Sequence, residues 1–144
     1  MLPATVYFAF LAIVCAYALW RGGVEERVVA VTSIAASLFT LFVIPPKDVR
    51  YDQIEWGVMA IDLVVLVIYV GLALRSRRFW PLWVAGIQLT TSFAHAVKAM
   101  NFDLLPSAYA VAAQFWVYPI LIILLIATIR RRPPEPSPAG TAPA

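Results

Sequence analysis

Residues 56–74 read WGVMAIDLVVLVIYVGLAL, nineteen positions that carry a single charge, Asp62. As a helix the run is about 28 Å long, close to the ~30 Å hydrocarbon core of a bilayer. In lipid a helix satisfies its own backbone polar groups, so this segment is read as a transmembrane span. It ends in RSRR at 75–78, a cluster of charge at the boundary.

Working outward, four further apolar runs stand at 2–20, 28–44, 80–100 and 107–129. Between them lie RGGVEER, PPKDVRYDQIE, RSRR and NFDLLP, all polar or turn-forming. The fold expected is an all-α bundle of five transmembrane helices forming one domain over residues 1–132. The remainder, 133–144, is rich in proline and small residues and is expected to be a disordered cytoplasmic tail. Composition agrees: the chain of 144 residues is 62% hydrophobic and 13% charged, with a mean hydropathy of +0.84. A soluble domain is nearer to about 45–50% apolar and about 25% charged. The isoelectric point near 9.3 raises nucleic acid as a partner. The basic residues, however, stand at the ends of apolar runs, which speaks for membrane orientation and against nucleic acid.

With five spans the loops alternate sides, and the basic residues sort into two groups. Arg21, Arg27, Arg75, Arg77, Arg78, Arg130, Arg131 and Arg132 fall on one side; Lys47, Arg50 and Lys98 fall on the other. The positive-inside rule then puts the N-terminus out and the C-terminus in, with the chain crossing the membrane several times. If the polar fourth segment lay flat on the surface, Arg75–Arg78 and Arg130–Arg132 would be on opposite sides, which the rule disfavours. Trp20, Trp80 and Trp83 fall at the inner boundary, and Tyr51, Trp56 and Tyr109 at the outer one, where aromatic rings favour the headgroup level. The first run has no basic residue before it and is read as a retained span. The single cysteine, Cys15, excludes an internal disulfide and reads as a small buried apolar residue.

No phosphate loop, zinc-protease helix or nucleophile elbow is present, and the chain holds one histidine, His95. No catalytic residue, metal site or cofactor is therefore expected, and attention passes to polar residues within the spans. In the second, Ala30, Ser33, Ser37 and Thr40 recur at steps of three and four and share one helix face. Small residues let helices approach closely in lipid, so this is a packing face, its partner either internal or another subunit.

The fourth segment, GIQLTTSFAHAVKAMNF at 86–102, gathers Gln88, Thr91, His95 and Lys98 on one stripe. Asp62 lies six residues from Trp56, His95 six from Asn101 and Gln114 seven from Ser107. All three are then about 9–10 Å below the outer boundary. A carboxylate, an imidazole and an amide at one depth are expected to converge, with Lys98 at the mouth. Thr91 and Tyr118, then Gln88 and Tyr69, offer stations farther in, but Leu72, Leu74, Leu82 and Val84 close the path. Pro119, read as interior to the last span, should free the carbonyl of Phe115.

RFWPLWVAGIQL at 78–89 with His95 beyond it, and FWVYP at 115–119, resemble a group of small polytopic bacterial inner-membrane proteins with no known activity. The resemblance implies that setting and carries over no functional residue. The function expected is a small accessory or scaffold protein without catalysis, with the bilayer and a membrane-protein partner or a second copy as its contacts. The runner-up is a binding or transport component taking a proton, cation, quinone or small ligand in an outward-facing pocket at Asp62, His95 and Gln114. A membrane enzyme using these residues as acid and base ranks third.

Overall fold

The computed structural model describes residues 4–43, 56–100 and 115–131, all of them helix or short connection and none of them strand. The helices are α1 (Ala4–Arg21), α2 (Val24–Val43), α3 (Trp56–Arg75), α4 (Trp80–Met100) and α5 (Val117–Ile129). Successive helices run antiparallel. Each packs on the next, α5 closes back onto α1, and α5 also touches α2. The described arginines 21, 27, 75, 77, 78, 130 and 131 lie together at one end of this ring, the arginine end.

α2 starts four residues earlier than its apolar run, so RGGVEER is mostly helix and the α1–α2 connection is Gly22-Gly23 alone. The cause is a cap. Glu26, at the third helical position, reaches back and accepts the Gly23 N–H at 2.8 Å, while the negative charges of Glu25 and Glu26 face the positive end of the helix dipole. Gly22 must lack a side chain, since a Cβ there would overlap the backbone carbonyl of Ala18. At the α3–α4 connection Ser76 accepts the Arg78 N–H at 3.0 Å, a serine turn that leads into α4. Pro81 occupies the second position of α4, where a missing N–H forfeits no helical bond.

α5 is bounded at Val117, so Pro119 sits in its first turn. Phe115 is also helical and Trp116 is the turn residue between, so the helical path breaks just ahead of the proline, which has no N–H for the Phe115 carbonyl. Residues 101–114 lie outside the described part, as do 44–55 and the tail.

By length and apolarity two helices suffice to cross a membrane, α2 and α3 from Gly57 onward. The others fall short for separate reasons. α1 and α5 are apolar but short as described, while α4 is long enough and is diluted by Gln88, Thr90, Thr91, Ser92 and His95.

Apolar side chains line both the outside and the core of the bundle, and a set of polar groups is buried with them. Phe42 is 86% exposed, Val67 71% and Phe93 67%, and they belong to a mantle of large apolar side chains on every helix. Inside, beside a core of Val14, Cys15, Val29, Leu121 and Leu124, are buried Glu26, Gln88, Thr91, Ser92, His95 and Thr128. Trp80, at the start of α4, packs against this core, its Nε1 buried without an acceptor among the described residues.

A buried carboxylate–imidazole pair and the helix stitches around it

The Asp62 side chain leaves α3 toward α4, and both of its oxygens are engaged there. Oδ2 lies 2.6 Å from Nε2 of His95, and Oδ1 accepts from Nε2 of Gln88 at 3.1 Å. The same amide nitrogen also reaches the Asp62 carbonyl at 3.4 Å. Gln88 and His95 stand seven residues apart on α4, two turns on one face, which is why one carboxylate reaches both. The pair is largely withdrawn from the surface, the His95 side chain 8% and Asp62 20% exposed. A carboxylate against an imidazole can pass a proton between them, and in a dry setting it also fixes two helices together.

Other members of the expected site go elsewhere. Thr91 donates to its own turn, to the Ile87 carbonyl at 3.2 Å, so it adds nothing to the pair. Tyr69, expected below Asp62 as a station on an inward path, turns to α2 and bonds Ser33 at 2.9 Å. Tyr118 faces α1, its ring edge-on to Tyr7 with centroids 6.1 Å apart. For Tyr69 and Tyr118 the residue points into the bundle, but the neighbour that receives it is a different helix from the one expected. Gln114 and the Lys98 side chain lie outside the described residues.

The packing face on α2 is received inside the bundle. Ala30 is fully buried, Ser33 meets Tyr69 on α3, and Ser37 meets Tyr7 on α1 at 2.7 Å; Thr40 is half-buried. A pattern results in which α1–α2, α2–α3 and α3–α4 are each joined by a side-chain bond. Ser92, between Gln88 and His95 on α4, is buried with its hydroxyl unpartnered among the described residues.

At the arginine end lies a second cluster that the reading of RGGVEER as a loop hid. Glu26, 1% exposed, takes Nη1 of Arg78 at 2.8 Å, and Glu25 takes the Ser76 hydroxyl at 2.6 Å and Nε of Arg78 at 3.6 Å. The signal available was a glutamate three residues after a glycine ahead of an apolar run. Among the described residues no group of three or more His, Cys, Asp or Glu could hold a metal ion.

Comparison with known proteins adds no assignment: the chain matches no protein family, no curated protein and no solved structure.

Proposed function

We propose that the chain is a five-span protein of the bacterial inner membrane, N-terminus out and C-terminus in, acting as a small accessory or scaffold subunit without catalysis. The observation that carries this reading is the apolar mantle outside, together with buried polar side chains paired helix to helix. Burying large apolar side chains is the driving force of folding in water, so a mantle of them needs a non-aqueous surround. Inside, both Asp62 oxygens and the Ser33, Ser37, Tyr7 and Tyr69 hydroxyls are spent on holding neighbouring helices. Polar atoms spent in this way serve assembly, and they leave the mantle as the surface offered to lipid and to a partner. The gathering of arginines at one end supports the orientation.

Affinity purification in a mild detergent, followed by mass spectrometry, tests the scaffold role. A stoichiometric membrane-protein partner or a stable self-assembly is expected. A lone chain carrying a bound quinone or other small molecule would contradict it. Orientation is tested by reporter fusions after Arg132 and within residues 47–55, with cytoplasmic activity expected from the first and periplasmic activity from the second.

A second reading keeps Asp62 and His95 as a proton or cation site, supported by their 2.6 Å approach and by the unpartnered Ser92 hydroxyl on the same helix. On that reading Asp62→Asn abolishes an activity while the fold persists, whereas on the scaffold reading it changes little.

A further inference from the structure

At the arginine end an open cleft of about 680 Å³ runs between α2 and α3. Its floor is apolar, made by Val28, Val67, Ile68, Gly71 and Leu72, and its mouth carries Arg75, Arg78 and Arg131 along with Glu25 and Glu26. The two kinds of surface meet at one end of the bundle, which gives the cleft the amphipathic layout of a lipid: tail below, charged head above.

The charges at the mouth are not equivalent. Glu26 spends one oxygen on the Gly23 N–H and the other on Arg78. Glu25 spends its oxygens on Ser76 and Arg78. Among the described residues Arg75 has no carboxylate partner, and Arg131 makes a single long bond, 3.4 Å to the Arg21 carbonyl. The five groups sum to +1, but the negative ones are satisfied within the protein, and the donors left over are two guanidinium groups. Guanidinium is the side chain best shaped for a phosphate, which it can hold by two parallel N–H bonds. Gly71 adds the last element, because a Cβ there meets nothing within 4 Å, so the groove is open where an acyl chain would lie.

We propose that this cleft binds one anionic phospholipid, its phosphate between Arg75 and Arg131 and one acyl chain along Val67, Ile68 and Gly71. The proposal rests on the membrane reading above. It differs from general attraction of basic residues to the inner leaflet in requiring a tail groove as well as charge.

Purified full-length chain in vesicles or nanodiscs, with native mass spectrometry counting retained phosphatidylglycerol against phosphatidylcholine, provides the test. An arginine near the headgroup layer contributes about fivefold in favour of an anionic lipid, so wild type should prefer phosphatidylglycerol by roughly 25-fold. Arg75→Gln, at an exposed position, should reduce the preference about fivefold, and Arg75→Lys should keep most of it. Gly71→Leu fills the groove without a clash and should weaken both lipids together. Equal retention of the two lipids by wild type, or an unchanged preference in Arg75→Gln, overturns the proposal. Displacement of phosphatidylglycerol by inorganic phosphate, with Gly71→Leu silent, also overturns it, since the cleft would then be a phosphate site without a tail groove. Liposome flotation and resistance to alkaline extraction report separately on membrane insertion: an inserted chain with no lipid preference removes only the cleft, whereas a chain that does not insert removes the membrane reading on which it rests.

Discussion

Asp62 offers both oxygens to α4, so deleting its polarity and deleting only its charge are different experiments. Asp62→Leu leaves the Gln88 amide only its longer contact to the backbone carbonyl of residue 62 and takes the carboxylate from His95, at about 1–3 kcal/mol for each buried polar group that loses its match. Asp62→Asn keeps the shape and one acceptor, and should cost well under that. Thermal unfolding in detergent should therefore rank wild type and Asp62→Asn close together and Asp62→Leu clearly below; similar loss in both variants would show that the negative charge itself holds the fold. The Ser33–Tyr69 bond calls for a gentler test. Ser33→Ala and Tyr69→Phe in a double-mutant cycle should give a coupling of about 0.6 kcal/mol, the usual size for such a bond between membrane helices. A coupling near zero would mean the two hydroxyls are neighbours without a bond.

The two ends of the α2–α3 pair differ in how closely the helices approach, and glycine substitutions read the difference. At the end away from the arginines a Cβ on Gly57 would overlap the Val43 side chain, whereas Gly71 faces open space. Gly57→Leu should lower stability by about 1–3 kcal/mol, as overpacking does, and Gly71→Leu should leave thermal unfolding almost unchanged. Equal effects would contradict the packing of α2 on α3. Glu26 joins the start of α2 to Arg78 at the α3–α4 connection. Glu26→Gln retains the cap acceptor and should be milder than Glu26→Ala, which leaves Arg78 only its longer approach to Glu25 and opens the Gly23 N–H; circular dichroism with thermal unfolding checks the order. At this scale the sequence was readable in part. The stretches 56–74 and 80–100 became helices with nearly their own boundaries, because a long apolar run ended by arginines or an aromatic-proline pair leaves few other places to stop. The start of α2 was missed, because the charges of Glu25, Glu26 and Arg27 looked like loop until the cap on Gly23 explained them. The approach of Asp62 to His95 followed from shared depth alone. The turning of Tyr69 to Ser33 did not, since depth and helix face leave open which neighbour a face meets.

Over the whole molecule, the account depends on what surrounds the mantle. Val31, Val67, Phe93 and Ile122 are exposed on α2, α3, α4 and α5, while Leu124 is fully buried. The most direct measurement places single spin labels at these positions in a chain whose buried Cys15 is replaced by alanine, reconstituted in vesicles. Collision with oxygen, which concentrates in lipid, is compared with collision with a water-soluble nickel chelate. The account predicts high oxygen and low nickel accessibility at Val31, Val67, Phe93 and Ile122, and low accessibility to both at Leu124. Nickel accessibility at the four exposed positions equal to that of a label on a water-facing loop would contradict the membrane-embedded bundle.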